Sequence, residues 1–208
     1  MPRRRMTVTP ADYGFEIVED RAAYKGFAKV HEFHLTHKRY DGTMSPTITR
    51  ECFASGDAVV VLPYDAVRDE VLMVEQFRAG PLPRKDNPWV IETVAGRIEP
   101  GETAEDVAIR EAVEEANCHV SDLRKVGEMY NSPGIFAEYC TLFVGRADLT
   151  GLGGIHGLDG EDEDIKAMVC SFEEAYAGLT DGRLRSAPSF VLLQWLALHR
   201  QELRKDWS

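Results

Sequence analysis

The chain has 208 residues, 44% of them apolar, and a net charge of −11 from 24 Lys and Arg against 35 Asp and Glu. That is enough apolar material for one packed domain of ordinary size with an appendage. The acidic balance excludes non-specific nucleic-acid binding, which needs a basic footprint, and no apolar run is long enough to span a membrane.

Taken in order, Met1 to Met6 is basic with no apolar run behind it and reads as a frayed end rather than a leader. From Phe15 to about Arg50 the pattern is β. Apolar and polar residues alternate from Ala28 to Leu35, Asp41-Gly42 is a hairpin turn, and Thr47 to Arg50 is the returning strand. Three or so strands without a helix cannot bury a core alone, so this piece must dock on something, a partner subunit being one candidate. His31, His34 and His37 are too irregular for a metal face and read as solvent-facing. Gly56-Asp57 separates the piece from the rest of the chain, giving two parts, 1–55 and 56–208.

Ala58 to Tyr64 is a near-continuous apolar strand, and Glu70 to Arg78 forms a hairpin with it. Gly80 to Pro88 is a loop, and Trp89 to Ala95 is a strand ended by Gly96. A helix comes next. Later come strands over Val126 to Tyr130, Tyr139 to Val144 and Lys166 to Cys170, with a Gly- and acid-rich loop over Thr150 to Asp164. Ser171-x-x-Glu174 is a capping box opening a short helix. Pro188 to Arg204 is an amphipathic helix carrying Trp195 that covers a sheet face. Strands first, then a helix, strands again and helices last point to a mixed sheet with helices on both faces. Cys52, Cys118, Cys140 and Cys170 have no zinc spacing and read as reduced, buried core thiols of a cytoplasmic protein.

The chemistry concentrates between Gly96 and Cys118. Glu99-Pro100-Gly101-Glu102 is a turn. Thr103 is the N-cap of a helix with an apolar stripe of Ala104, Val107, Ala108, Ala112 and Val113. On the opposite face Glu111, Glu114 and Glu115 lie three and four apart, an arrangement that costs an isolated helix about 0.2–0.5 kcal/mol per pair. Arg110 can pair with Glu114 but cannot neutralise all three, whereas a hard divalent cation can. The alternative is a solvated acidic face, and the spacing decides between them. Gly96, five residues, Glu102, seven residues, Arg110-Glu111, two residues and Glu114-Glu115 match the Nudix box, G-x5-E-x7-R-E-U-x-E-E-x-G-U, at every charged position. Only the penultimate Gly differs. Asn117 stands there, and Asn is the next most tolerant residue of a left-handed helix end.

The chain therefore resembles the Nudix hydrolases. Arg50-Glu51, Glu75 to Arg78, Val94 to Gly96, Ser132 to Gly134 and Gly154 to Leu158 extend the resemblance, over nearly the whole length, to the bacterial ADP-ribose pyrophosphatases. Glu161 to Ile165, the helix around Leu193 to Leu196, and Pro133 about sixteen residues past the box agree with it.

That resemblance implies an α/β/α sandwich with a mixed sheet, behind an N-terminal antiparallel β domain exchanged within a homodimer. It implies Mg²⁺-dependent hydrolysis of ADP-ribose to AMP and ribose 5-phosphate, with Mn²⁺ a possible substitute. The implied metal ligands are the Ala95 carbonyl, Glu111, Glu115 and Glu163, with Glu99 and Glu114 lesser contributors. Glu161 is the implied general base, Arg110 orients the glutamates, and Glu102 ties the loop to the helix. Phe27, Arg50, Arg78, Ser132 and Glu138 occupy substrate-binding positions. Ile135-Phe136-Ala137 is bulkier than the family pattern there and bears on substrate breadth.

Two other readings compete. One keeps the chemistry and changes the sugar nucleotide to ADP-mannose, ADP-glucose or a GDP-sugar. The other is a non-catalytic ADP-ribose sensor, against which the complete set of box carboxylates argues.

Overall fold

The structure, a computed structural model, describes residues 14–208 other than 27, 159 and 161. It parts into two compact units. One holds the chain up to Ser55 together with Ser132–Ala137; the other holds Gly56–Asn131 and Glu138–Ser208.

The first unit is an antiparallel sheet of three strands in the order β1-β2-β3: β1 (Phe15–Lys25), β2 (Lys29–His37) and β3 (Ile48–Ala54). The segment 132–137 joins it at β3. Phe53 N–H donates to the Ile135 carbonyl at 2.8 Å, Ala137 N–H donates to the Phe53 carbonyl at 2.9 Å, and the Phe53 and Phe136 rings stack at 5.1 Å. His31 and His34 are not simply solvated, as their spacing suggests. Both are half-buried, His31 2.8 Å from Asp20 of the neighbouring β1, and His34 2.8 Å from Glu32 two residues before it on the same face of β2 and 3.7 Å from Glu19 of β1.

The second unit is built on β4 (Ala58–Asp65), whose unbroken apolar run reflects burial on both faces. Val59 and Val61 face α1 (Ala104–Ala116), while Val60, Leu62 and Tyr64 face α2 (Phe172–Asp181) and α3 (Ala187–Trp207). The sheet runs β10-β11-β5-β4-β9-β8, with β5 (Glu70–Phe77), β8 (Ser121–Tyr130), β9 (Tyr139–Arg146), β10 (Gly154–His156) and β11 (Ile165–Ser171). The β4–β9 pair is parallel and the others are antiparallel, so the sheet is mixed and sandwiched between helical layers.

Several boundaries differ from the sequence reading. Trp89 to Ala95 is not one strand. β4 and β5 pair only at Tyr64–Val71 and Asp65–Glu70, then diverge. β6 (Trp89–Glu92) fills the fork along β5, and β7 (Val94–Arg97) fills it along β4. The chain changes partner at Thr93, and Gly96 lies inside β7. The stretch 150–164 is not wholly loop, since β10 pairs with β11 through Gly154–Ala167 and His156–Ile165. β8 starts at Ser121, earlier than apolarity suggests, because its outward residues are polar. All four cysteines are free, but only Cys118 and Cys140 are buried; Cys52 and Cys170 are half-buried.

Candidate active site

The helix that carries the acids is closed at both ends by its own sequence. The Thr103 hydroxyl accepts the Asp106 N–H at 3.1 Å and donates to the Asp106 carboxylate at 2.6 Å. At the other end Asn117 takes φ 49° and ψ 35°, the left-handed conformation that Asn tolerates. Its N–H donates to the Val113 carbonyl at 2.8 Å.

Between these caps the acids are not all on the solvent side. Glu115 is 2% exposed and lies with Ala108, Ala112 and Ala116 on the buried side of α1, which corrects the sequence reading that all three acids lie opposite the apolar stripe. The register explains this, because Glu115 follows Ala108 by two turns and Ala112 by three residues. Glu111 and Glu114 are half-buried beside it, and Val113, assigned to the apolar stripe, is only half-buried.

β7 supplies the other wall. Ala95 N–H donates to Glu115 Oε2 at 3.2 Å. The N–H and C=O of one residue leave an extended strand on the same side, so the Ala95 carbonyl faces this side too. Glu111 lies against Gly96 so closely that a Cβ there would fall inside its carboxylate. The glycine of the motif is thus required by close approach.

Arg110 ties the acids together. Its guanidinium lies 2.9 Å from Glu111, 2.7 Å from Glu114 and 3.5 Å from Glu102, and Glu102 in turn accepts the Glu99 N–H at 2.9 Å. Among the described residues no cation pairs with Glu115 in this way. Burial first, then the charges of Glu111 and Glu163, raise its carboxyl to about 8, against partial relief from the Ala95 N–H and Arg78. Burial likewise raises Glu111 to about 7, opposed by Arg110 and reinforced by Glu114 and Glu163.

Glu163, in the loop before β11, is near enough for its charge to act on both Glu111 and Glu115. That loop folds over at Gly157, whose φ of +114° and 2.6 Å gap from a Cβ to the Glu163 carbonyl admit only glycine. Among the described residues no three His, Cys, Asp or Glu side chains form a ready cage. The donors present are two carboxylates short of positive charge, a third nearby and the Ala95 carbonyl on the same side. That set fits a hard divalent cation that keeps several of its waters.

The remaining candidates are dispersed. Arg78 donates from Nε to Glu92 at 2.7 Å. Glu138 is half-buried and accepts from Asn131 Nδ2 at 2.6 Å. Arg50 and Ser132 belong to the other compact unit, Arg50 bonded to the Thr49 carbonyl at 2.8 Å and Ser132 exposed. Phe27 and Glu161 lie outside the described residues.

Sequence reasoning missed Glu92 and Gln76. Glu92 sits opposite Val74 on the α1 side of the sheet and holds Arg78, a pairing visible only once β6 is registered on β5. Gln76 lies two residues from Val74 on that same side, is 7% exposed, and its Nε2 has no partner among the described residues. A glutamine in phase with the apolar Leu72 and Val74 was the available signal.

A NUDIX domain model matches residues 54–193. The chain belongs to the Nudix family. Among Nudix relatives, the ADP-ribose pyrophosphatase of Escherichia coli (strain K12) is 41% identical over 203 residues, covering 98% of this chain and 97% of its own length. The ADP-ribose pyrophosphatase of Haemophilus influenzae is 37% identical, covering 93% and 90%. The GDP-mannose pyrophosphatase of Yersinia enterocolitica is 30% identical, covering 88% and 95%. A crystal structure of an ADP compounds hydrolase shares the fold, with a TM-score of 0.65 and 18% identity over 89% of this chain and 95% of that one. The Nudix chain described here is a hydrolase. No helix among its described residues is long and apolar enough to cross a membrane.

Proposed function

We propose that the chain hydrolyses the diphosphate bond of ADP-ribose to AMP and ribose 5-phosphate, with Mg²⁺ as its cation and Mn²⁺ able to substitute. The observation that carries this reading is the pair Glu111 and Glu115, pressed against Gly96 and Ala95 with too little positive charge around them. The choice of substrate rests on the relatives named ADP-ribose pyrophosphatases, 41% and 37% identical over nearly the whole chain.

In this reading Glu111, Glu115, Glu163 and the Ala95 carbonyl would hold the cation, which when bound would supply positive charge against the diphosphate and Lewis acidity. Arg110 keeps Glu111 and Glu114 aimed. Glu92 engages Arg78 at Nε and leaves its other nitrogens for the diphosphate. Glu161 takes the proton of the attacking water. Phe27 and Arg50 hold the adenine by stacking, while Ser132 and Glu138 contact the terminal ribose.

The active form is a homodimer. β1 leaves Phe15, Ile17, Val18 and Tyr24 exposed on a sheet that has no helix of its own among the described residues, and a second copy is the fitting cover. Four free cysteines and a net charge of −11 agree with a cytoplasmic enzyme that binds neither nucleic acid nor membrane.

A second reading, hydrolysis of GDP-mannose or another sugar nucleotide, is favoured by the relatives of that name at 30% identity. Chromatography of products from ADP-ribose and GDP-mannose, with Mg²⁺ and with EDTA, separates the two. Metal-dependent AMP with little GMP is expected; GMP as the dominant product would transfer the conclusion to the second reading.

A further inference from the structure

Thr93 is the residue at which the chain leaves β5 for β4, since Glu92 is registered on Val74 and Val94 on Val61. Its N–H therefore belongs to neither ladder, yet Thr93 is 1% exposed. A buried orphan N–H is costly, and something must accept it. The acceptor comes from the far side of the sheet. Ser189 Oγ in the first turn of α3 takes the Thr93 N–H at 3.2 Å and lies 3.5 Å from the Thr93 hydroxyl. Ser189 is fully buried on a helix that otherwise presents Leu192, Leu193 and Leu196 to the same core. A lone hydroxyl there is explained by the bond it makes.

The consequence lies two residues on. Ala95 N–H meets Glu115, and Gly96 meets Glu111 with no room for a methyl group. Two residues of strand make a lever of about 7 Å, so a swing of about 10° at Thr93 moves Ala95 by roughly 1 Å. We infer that Ser189 is a positioning residue for this site: by accepting the Thr93 N–H across the sheet, it sets the line of β7 that presents Ala95 and Gly96 to Glu115 and Glu111. It touches neither the acids nor a substrate and acts only through the backbone. Its effect on cation binding rests on the proposed function; its effect on β7 does not.

The test compares Ser189→Ala, which orphans the N–H, with Thr93→Val, which keeps the N–H bond and removes only the Thr93 hydroxyl. Three readouts apply: amide hydrogen exchange in the metal-free protein, Mn²⁺ binding titrated without substrate, and kcat with KM. For Ser189→Ala, exchange at Thr93 and Ala95 should quicken about tenfold while Leu62 in β4 is unchanged. The Mn²⁺ dissociation constant should rise about tenfold, as for other residues that orient metal ligands, and kcat should fall at fixed KM. Thr93→Val should leave all three within about twofold.

Ser189→Cys, of similar volume but a weaker acceptor, serves if the alanine variant does not fold, and should shift the readouts the same way. Uniformly faster exchange with unchanged Mn²⁺ affinity would reduce Ser189 to ordinary packing and overturn the inference. So would a Thr93→Val variant as impaired as Ser189→Ala. A wild-type protein inactive on ADP-ribose leaves the exchange comparison intact, so the two ideas fail separately.

Discussion

Replacing Glu115 with Gln should inactivate the protein and stabilise it. Gln keeps the shape and can still accept the Ala95 N–H that now meets Glu115 at 3.2 Å. What it removes is a carboxyl 2% exposed and, mainly through burial, raised from 4.5 to about 8. A group whose folded pKa is raised contributes stability below its unfolded value and loses it as pH climbs through the folded one. The metal-free wild type should therefore weaken between about pH 5 and pH 8, and Glu115→Gln should be spared that part of the loss. At about 1.4 kcal/mol per pH unit, the variant should be more stable by up to about 4 kcal/mol at pH 8 and nearly equal to wild type at pH 5. Urea denaturation in EDTA at the two pH values measures this. Turnover of ADP-ribose should fall on the order of 10²-fold or more if a cation ligand is lost. A variant no more stable than wild type at pH 8, or one that keeps near wild-type turnover, would refute the picture of Glu115 as a buried acid held ready for a cation.

Gly96→Ala puts a methyl group into the Glu111 carboxylate; it should cost about 1–3 kcal/mol of stability, and steady-state assays should find activity down on the order of 10²-fold. Arg110→Ala removes the shared partner of Glu102, Glu111 and Glu114. The Arg110 side chain is 38% exposed, so solvent screens these pairs and thermal melts should register a loss of no more than about 1 kcal/mol, while kcat falls by about tenfold or more. Asn117→Ala forces an ordinary residue into φ 49°; denaturant titration should find it about 1 kcal/mol less stable with unchanged turnover, and Asn117→Gly near wild type.

Much of the site was legible because it is local. The helix caps at Thr103 and Asn117, the spacing of Glu111, Glu114 and Glu115, and the pairing of Arg110 with Glu114 all depend on positions three and four apart along one helix. The apolar run of β4, the capping box at Ser171 and the apolar face of α3 were equally plain. Other properties depend on partners distant in the chain, and no local pattern carries them. Trp89 to Ala95 is one β-prone run, yet it divides at Thr93 because β4 and β5 diverge and each takes half of it. Glu115 looks like its neighbours Glu111 and Glu114, but it alone turns inward to meet Ala95. Glu92 is an ordinary strand residue until register sets it on Arg78, and Ser189 is one small residue in an apolar helix until Thr93 lies against it. The sequence by itself determined the helix, its ends and the chemistry it carries, since those rest on contacts within a few residues. Only the tertiary structure decided which acid is buried, where the strand breaks and what holds the break, since burial and register depend on what packs from the rest of the chain.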